Sequence, residues 1–404
     1  MKESVGKKRK KRILIIVENL PLPFDRRVWQ EANTLKNAGY EVFIICPVGK
    51  GYEKRYEEIN GIHIYRHPLP LEGSGVLGYV LEYSWALFWE FYLALKIFLK
   101  HGFDAIQACN PPDIIFIVGL FFKVFFRKKF VFDHHDINPE LYLAKFGKKD
   151  IFYKIMLLLE RLTFMCADLS IATNESYKKI AIERGKMDPK KVTVVRSGPS
   201  LERMKIVTPN PKWKNNRKFL VGYVGVMGKQ EGIDHLLDVA RILVYEKKRQ
   251  DIQFVLIGDG TELQNLKKLC KDLKLEDYVT FTGRIPDEPM LEILNTADVC
   301  VNPDIPTEMN DKSTMNKIME YMALGKPIVQ YDLTEGRFSA QDASLYARPN
   351  DKYDFAEKIE WLLDHPEERK RMGQFGYKRV REELHWGVEA PKYLQVYETL
   401  FKGN

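Results

Sequence analysis

Short apolar runs alternate with amphipathic segments along the chain, and the alternation repeats in both halves. Six runs in the first half have the length and composition of buried strands, at 13–17, 42–46, 105–108, 130–132, 169–172 and 192–195. Six more follow in the second half, at 219–224, 253–257, 279–281, 299–302, 327–331 and 344–347. Strands that alternate with helices are typical of parallel sheets with crossover helices, so the pattern predicts an α/β protein.

Helical periodicity between these runs predicts the intervening elements. Apolar residues recur at helical spacing in 28–38, 176–183, 234–247, 263–273, 290–296, 317–324 and 386–401. The segment 199–217 lacks this periodicity and carries Pro209 and Pro211, which indicates a linker. A chain of 404 residues is too long for one ordinary core. The sequence therefore predicts two doubly wound domains with a cleft between them, in which ligands bind at the carboxyl ends of the strands.

The charge of the chain is unevenly distributed. Residues 1–200 contain 32 Lys and Arg against 22 Asp and Glu, whereas residues 201–404 contain 31 against 33. Basic clusters at 7–12, 127–129 and 145–149 lie beside segments rich in Phe, Leu and Trp. This mixture favours binding to an anionic membrane surface, with solvated charge over an aromatic core as the alternative. Nucleic acid is not the expected partner, because no nucleic-acid-binding motif accompanies the charge.

Neither a membrane span nor a secretory signal is expected. The apolar segment 76–99 is interrupted by Glu82, Glu90 and Lys96, and the run 13–17 is too short for a signal sequence. The five cysteines are far apart and include no C-x-x-C pair, which argues against a zinc site or a disulfide framework. A reducing cytoplasm is the compartment that fits this cysteine usage.

The segment 311–329 carries the clearest chemical signal. A polar loop at 311–316 leads into the helix 317–324, which ends before Gly325. A helix N-terminus that follows Ser and Thr offers backbone N–H groups and the positive end of the helix dipole, which suits phosphate. Glu320 lies one turn inside the helix, where a carboxylate can accept the hydroxyl protons of a ribose. The pattern predicts a nucleotide-diphosphate site, with an ordinary strand–loop–helix–strand unit as the alternative.

This segment resembles the donor-site segment of glycosyltransferase family 4, whose members are retaining enzymes with the GT-B fold. Further segments resemble the family in the expected order, at 18–31, 134–136, 196–198, 222–225, 258–260, 282–284 and 332–335. The resemblance implies an α/β GT-B fold of two Rossmann-like doubly wound domains facing a central cleft. The implied divisions are an acceptor-binding domain at 1–205, a nucleotide-sugar donor domain at 206–385, and a last helix at 386–404 that returns to the first domain.

The resemblance also implies a donor site on the second domain. It assigns Glu320 to the ribose, the loop containing Gly225 to the diphosphate, and the backbone near Arg284 and Ile285 to the edge of the nucleobase. Four residues of the polar loop would add backbone donors to the diphosphate: Ser313, Thr314, Met315 and Asn316.

Two features depart from the family pattern. Val226 and Glu231 stand where the family has Arg and Lys, so the usual cationic clamp on the diphosphate is missing. The candidate replacements are Lys229, Arg196 and Arg284. Lys312 stands eight residues before Glu320, where the family has a Glu that holds hydroxyls of the donor sugar. At this position Lys312 can instead add positive charge near the leaving diphosphate.

Two segments of the first domain carry candidate chemistry. By the resemblance, His135 hydrogen-bonds a hydroxyl of the donor sugar, with a structural His beside a capping Asp as the alternative. The loop 18–24 is expected to line the acceptor side, and the next helix opens with Asp25, Arg26 and Arg27. One of these two arginines meets an acceptor phosphate or pairs with Glu31 along the helix.

Taken together, the sequence predicts a retaining glycosyltransferase that uses a nucleotide-diphosphate sugar, with UDP as the expected nucleotide. The candidate catalytic residues are His135, Glu320 and Lys229. No metal or other cofactor is expected, because no D-x-D motif occurs and helix dipoles and cations can neutralise the diphosphate.

The expected acceptor is a lipid-linked precursor or a growing bacterial surface polysaccharide. The protein is accordingly expected in the cytoplasm, with peripheral association at the inner face of the cytoplasmic membrane. Two alternatives remain open: a GT-B sugar-nucleotide epimerase, which turns over donor without an acceptor, and a non-catalytic sugar-nucleotide-binding protein.

Overall fold

The computed structural model describes residues 9–69 and 75–402, with the backbone alone at 75–77, 79 and 80. Lys7 and Lys8 of the first basic cluster lie outside the described residues. The chain divides into two compact units. One comprises the chain up to Arg196 together with the segment from Glu389 onward, and the other comprises Ser197–Val388.

The first unit contains an eight-stranded sheet. Its strands are β1 Arg12–Val17, β2 Glu41–Pro47, β3 Tyr56–Ile59, β4 Ile62–His67, β5 Ala105–Cys109, β6 Lys129–His134, β7 Leu169–Ala172 and β8 Val192–Val194. Their spatial order is β3-β4-β2-β1-β5-β6-β7-β8, and among the described strand pairs β3 and β4 alone are antiparallel. Its helices are α1 Arg26–Asn37, α2 Gly75–Lys100, α3 Phe116–Phe126, α4 Asn138–Phe146, α5 Ile151–Cys166 and α6 Glu175–Glu183.

The second unit contains a six-stranded parallel sheet. Its strands are β9 Phe219–Val224, β10 Ile252–Ile257, β11 Val279–Gly283, β12 Val299–Asn302, β13 Ile328–Tyr331 and β14 Ser344–Ala347, in the spatial order β11-β10-β9-β12-β13-β14. Its helices are α7 Ile233–Arg241, α8 Leu263–Asp272, α9 Asp287–Thr296, α10 Glu308–Lys312, α11 Asn316–Ala323, α12 Thr334–Ala340, α13 Lys352–Asp364 and α14 Pro366–Arg379. A π-helical segment, Ile242–Glu246, continues α7.

Both sheets reverse their strand order beside their first strand. β1 lies between β2 and β5, and β9 lies between β10 and β12. The connections that leave the two neighbouring strands cross opposite faces of the sheet, which opens a crevice at the carboxyl ends of the strands. The observed parallel sheets with crossover helices confirm the predicted α/β doubly wound class.

The last helix, α15 Trp386–Phe401, is attached to the first unit through Gln107 of β5. The hydroxyls of Tyr393 and Tyr397 both donate to Gln107 Oε1, the former at 2.7 Å, and both rings are buried. The Glu389 carboxylate accepts the backbone N–H of Arg196 at 3.0 Å. These bonds hold the C-terminal segment on the sheet built by the first 196 residues.

The structure differs from the predicted elements in several places. The sequence does not predict the hairpin β3–β4, because β3 is a polar edge strand whose residues are exposed or half-buried. It also does not predict α12 to α14. Part of the predicted loop 311–316 belongs to α10, which Thr307 caps by accepting the Asn310 N–H at 3.1 Å. The predicted linker 199–217 packs on the second unit and buries Met204 in its core.

Candidate active site

Two glycine-containing loops approach closely at the carboxyl edge of the second sheet. The backbone N–H of Gly225 donates to the Ile257 carbonyl at 3.0 Å, and that of Gly258 donates to the Gly283 carbonyl at 3.0 Å. A Cβ on Gly258 would collide with the Gly225 carbonyl oxygen, and its φ of +143° is a conformation that L side chains rarely adopt. Glycine is therefore required for these loops to meet, and Gly225 lies at the edge where the sequence predicts the diphosphate.

The helix α11 begins at this edge of the sheet, and its N-cap residue makes no side-chain capping bond. Its N-cap is Met315, whose side chain makes no capping bond, and Ser313 Oγ instead donates to the Met309 carbonyl at 2.7 Å. The Tyr321 hydroxyl accepts the Val224 N–H at 2.9 Å, which fixes α11 against the end of β9. The first turn keeps backbone N–H groups that an anion can satisfy.

Glu320 already has a cationic partner in this structure. Its Oε1 accepts from Arg203 Nη1 at 2.7 Å, and the same guanidinium binds both oxygens of Asp287 at 2.7 and 2.9 Å. Burial opposes the charge of Arg203, but hydrogen bonds and attraction from the two carboxylates raise its pKa. The arginine comes from the segment predicted as a linker, and it fixes the orientation of the predicted ribose-binding acid.

The remaining predicted donor residues differ in their surroundings. Lys229 is exposed and opens the 3-10 turn Lys229–Glu231, and Arg284 is exposed directly after β11. Lys312 binds Glu308 Oε1 at 2.6 Å along α10. Ile285 and Met315 pack against one apolar cluster, which also contains Leu294 and Ile318. Two more predicted residues, Thr314 and Asn316, flank Met315 in sequence, whereas Arg196 belongs to the first unit, at the end of its first segment, and is buried there.

In the first unit, the two adjacent histidines after Asp133 lie in different environments. His134 is fully buried among the rings of Phe132, Phe164 and Tyr177, and burial lowers its pKa to about 3. The side chain of His135 is 14% exposed, and its Nε2 lies 2.8 Å from Asp133 Oδ2. The opposite orientation of neighbouring side chains on an extended segment explains the difference. Of the two, only His135 combines solvent access with a polar partner.

Asp133 belongs to a buried charge network centred on Arg27. The guanidinium lies 3.1 Å from Asp133 Oδ1, 3.0 Å from Glu31 Oε1 and 3.0 Å from His135 Nε2. The Gln107 amide donates to both Glu31 and Asp133, at 2.8 and 2.9 Å. Because Nε2 of His135 cannot accept from Arg27 and donate to Asp133 at once, its tautomer decides which bond forms. Arg27 therefore pairs with Glu31, one of the two roles that the sequence allows for this arginine pair.

The pKa values of the two carboxyl groups in this network are shifted in opposite directions. Burial alone would raise the pKa of Asp133, but His135 and Arg27 hold it well below its usual range. Burial and the neighbouring Asp133 charge raise the pKa of Glu31 well above its usual range. Asp133 therefore carries its negative charge more readily than Glu31, beside both Arg27 and His135.

The predicted acceptor residues flank this network at the start of α1. Asp25 caps the helix by accepting the Val28 N–H at 3.1 Å, and Arg26, the first helical residue, is exposed. Arg27 is buried. Contact with an acceptor phosphate stays a prediction for these residues.

Two groups of side chains have donor atoms close enough for a metal ion. Glu31, Cys109, Asp133 and His135 form one, and Glu18, His67 and Glu90 form the other, each with donor atoms within 4.8 Å of one another. In the first group the Arg27 guanidinium already lies among the carboxylates, which makes a cation there unfavourable. The second group is buried, and burial with the neighbouring Glu18 raises the pKa of Glu90 well above its usual range.

The helices α2, α3 and α5 expose an extensive apolar surface, which we call the apolar helix layer. Its exposed residues are Leu81, Trp85, Phe88, Tyr92 and Leu99 of α2, Ile117, Leu120, Val124, Phe125 and Phe126 of α3, and Ile151, Phe152, Ile155, Leu158 and Met165 of α5. Across the described residues of 81–166, every exposed charged side chain is basic: Lys96, Lys100, Arg127, Lys145, Lys148, Lys149, Lys154 and Arg161. Among the described residues, no helix combines the length and apolarity needed to cross a membrane.

The sequence does not predict three residues of the donor site in the second unit: Arg203, Asp287 and Lys317. Arg203 binds Glu320, 117 residues further along the chain, and Asp287, 84 residues further along, and the sequence gives no signal for contacts at such separations. Lys317 lies inside the segment with the clearest signal, in the first turn of α11. A basic residue at that position, beside a loop that lacks its expected cations, is a signal that could have identified it.

Two family profiles match the chain. The family described as "Glycosyltransferase Family 4" matches residues 25–203, and the family described as "Glycosyl transferases group 1" matches residues 207–379. The capsular polysaccharide biosynthesis glycosyltransferase CapM of Staphylococcus aureus is 25% identical over 267 residues, which cover 62% of this chain and 66% of CapM. The matches to the first curated relatives span between 39 and 66% of the lengths of those proteins.

Solved structures share the fold over nearly the whole chain. Sucrose-phosphate synthase from Thermosynechococcus elongatus superposes with a TM-score of 0.79 at 19% identity, covering 98% of this chain and all of the other. HepE from Anabaena, solved in complex with UDP-glucose, superposes with a TM-score of 0.70 at 16% identity, covering 96% and 99%. The predicted GT-B fold class is confirmed.

Replacing Arg27 by Met should strongly destabilise the first unit, because Asp133 would keep a buried charge without its cation. We expect a loss of about 3 kcal/mol or more in the free energy of unfolding, measured by urea denaturation. Arg26→Met is the matched control, because Arg26 is exposed, and it should change stability by less than about 0.5 kcal/mol. Equal stability of the two variants would contradict the assigned network.

Proposed function

Because the chain belongs to glycosyltransferase family 4, we propose that it is a retaining glycosyltransferase. It moves a sugar from a UDP-linked donor to a lipid-linked or polysaccharide acceptor in the synthesis of bacterial surface glycans. The observation that carries this proposal is the donor edge of the second unit, where close-approaching glycine loops meet the uncapped α11 and Glu320 lies one turn inside that helix. The HepE complex supports the UDP-sugar, and CapM supports the polysaccharide acceptor.

Glu320 binds the ribose of the donor nucleotide. A carboxylate near phosphate groups is favourable only where it accepts hydroxyl protons, and the two ribose hydroxyls provide them. Arg203 donates to one oxygen of Glu320 at 2.7 Å and so fixes the orientation of the carboxyl group. The N-terminal turn of α11 binds the diphosphate through backbone N–H groups.

The transfer needs no metal in this proposal. The bond between the anomeric carbon and the diphosphate oxygen breaks, and its electron pair leaves with the diphosphate. The acceptor oxygen bonds to the anomeric carbon on the same face, and its proton passes to the leaving phosphate oxygen. Stabilising the developing charge on the diphosphate is then the main task of the protein, and preorganised donors perform it.

His135 orients the donor sugar. Its Nε2 bonds either Asp133 or Arg27, according to the tautomer, so Nδ1 is the ring nitrogen that faces a sugar hydroxyl in this proposal. His135 therefore contributes more to the transition state than to nucleotide binding, because it contacts the sugar and not the nucleotide.

The apolar helix layer supports a peripheral contact with the inner surface of the cytoplasmic membrane, which is part of the proposal. Exposed apolar patches of this extent are uncommon on monomeric proteins and mark interaction surfaces. The absence of exposed acidic residues across the described part of 81–166 favours anionic lipid headgroups as the partner, at about 1 kcal/mol per basic residue near the surface. Such docking brings the enzyme to a lipid-linked acceptor.

Thermal unfolding with UDP, GDP and ADP tests the donor site. A nucleotide at 100 times its Kd should add about 2.7 kcal/mol to the unit that binds it, and we expect UDP to do so selectively. Glu320→Ala should weaken this binding roughly 10- to 100-fold, because it removes charge-assisted hydrogen bonds to the ribose. Unchanged affinity would contradict the ribose assignment, and no stabilisation by any nucleotide would contradict the transferase proposal.

His135→Ala should lower the rate of sugar transfer at least tenfold and change UDP affinity less than twofold. The measurement is single-turnover transfer from UDP-sugar, paired with calorimetric titration of UDP. His134→Ala serves as the comparison, because His134 is buried away from solvent and should affect stability more than kcat. Full activity of the His135 variant would make that histidine structural. Donor turnover without any acceptor would favour the epimerase, and UDP binding without sugar release would favour a binding protein.

Val124→Glu should weaken binding to vesicles of phosphatidylglycerol and phosphatidylcholine, because it places an acid in the apolar helix layer. Ile206→Glu is a matched control, since both residues are 62% exposed and Ile206 lies in the second unit. Cosedimentation should be lost for the first variant only, and wild-type binding should fall when phosphatidylglycerol is omitted. Equal vesicle binding by the wild type and both variants would mean that the protein contacts membranes through another surface or not at all.

A further inference from the structure

The loop after β9 lacks the cations that a diphosphate needs. Val226 is exposed and apolar, and the Glu231 carboxylate turns back into its own loop, where Oε2 accepts the Gly228 N–H at 3.1 Å. Burial raises the pKa of Glu231, which shows that this acid lies in a poorly solvated place. Lys229 belongs to the loop but is exposed. A diphosphate at this loop would therefore meet an acid where the family has a lysine.

Lys317 brings a positive charge to the same loop from α11. Its Nζ lies 3.0 Å from Asp304 Oδ1 and 5.0 Å from the centre of the Tyr223 ring, and its side chain is 11% exposed. A Cβ on Gly225 would lie 3.3 Å from Lys317 Cε, so the lysine stem runs directly past the glycine loop. The ammonium group thus lies where the end of β9, the end of β12 and the first turn of α11 meet.

Buried polar atoms without partners accompany this lysine. Asp304 is 1% exposed, and its Oδ2 has no hydrogen-bond partner among the described residues. Asn302, at the end of β12, is also 1% exposed, and neither its Oδ1 nor its Nδ2 is paired within the described part of the chain. Buried polar groups are nearly always satisfied, so a cluster of unsatisfied ones beside a lysine indicates a place for a ligand or its ordered water.

We propose that Lys317 is the cation that binds the donor diphosphate in place of the missing Arg and Lys. This inference rests on the proposed function and names a residue of its donor site. An ammonium group has three donors, so Lys317 can keep its bond to Asp304 and direct the others to phosphate oxygens. Asp304 acts as a positioning residue, because it fixes the ammonium group over Tyr223 before the donor arrives.

The same geometry gives Glu231 an opposing effect. Its carboxylate and that of Asp304 surround one lysine, so the cluster carries excess negative charge when both are ionised. Removing the charge of Glu231 strengthens diphosphate binding, and converting this residue to lysine restores a second cation. Lys317 therefore strengthens binding of the diphosphate, whereas the charge of Glu231 weakens it.

Calorimetric titration of UDP and UMP separates a diphosphate contact from other effects. Lys317→Met should weaken UDP binding roughly 10- to 100-fold and reduce the preference for UDP over UMP, because the terminal phosphate loses its cation. Glu231→Gln should strengthen UDP binding severalfold. Lys247→Met is the matched control, because Lys247 also forms one carboxylate ion pair in the same unit, 2.7 Å from Glu360, and it should leave UDP affinity unchanged.

The outcomes separate the two proposals. Wild-type protein that binds no nucleoside diphosphate would overturn the proposed function and the role of Lys317 with it. Wild-type binding that persists unchanged in Lys317→Met, or that falls equally in Lys247→Met, would overturn the role of Lys317 alone. If the Met variant does not fold, Lys317→Gln keeps a hydrogen bond to Asp304 without the charge, and the same loss of UDP preference is expected.

Discussion

The reversal of strand order beside the first strand of each sheet determines where chemistry can occur in this protein. Connections that diverge over opposite faces leave the carboxyl ends of β1 and β5, and of β9 and β12, open to a ligand. Strand interiors are covered by helices and hold mostly apolar side chains, so the polar groups that can meet a ligand lie towards these ends. In the first unit Asp133 lies near the end of β6 and His135 follows that strand, and in the second unit Asn302 ends β12 and Asp304 follows it.

Both units hold buried charge near the strand ends by pairing it. In the first, Arg27 pairs with Asp133 and Glu31, and Gln107 donates to both carboxyl groups. In the second, Lys317 pairs with Asp304, while Asn302 and Asp304 keep buried polar atoms without partners among the described residues. Unpaired buried atoms of this kind also occur in the first unit, on His134 and Glu90, so such atoms alone do not distinguish the two units. The lysine beside Asp304 is what suits the second cluster to an anionic ligand.

The sequence predicts the strands well, because fully buried parallel strands are continuous apolar runs that need no tertiary information. The helix 386–401 is also found at its predicted bounds, since its apolar spacing is regular. The hairpin β3–β4 escapes prediction because an edge strand lacks such a run. Arg203 escapes it for another reason, because a lone basic residue in a segment without periodicity has no local signature, and its role depends on partners such as Glu320 that folding brings near. Lys317 stands in a segment with a clear signal, but its pairing with Asp304 is visible only in the folded chain.

The apolar helix layer has two kinds of apolar side chain. Inward-facing aromatic side chains join the helices, as in the contact between Phe91 and Phe121 at 4.8 Å between ring centres, while outward-facing ones such as Phe125 stay exposed. Exposed apolar residues contribute little to folding, so their number on three adjacent helices is not explained by the stability of the unit. The proposed burial in a lipid surface accounts for both the exposed aromatics and the basic exposed charges around them, because insertion removes apolar area from water while the lysines and arginines stay at the headgroups. A protein partner would have to match this surface with acidic residues around an equally large apolar face, whereas an anionic membrane provides both everywhere.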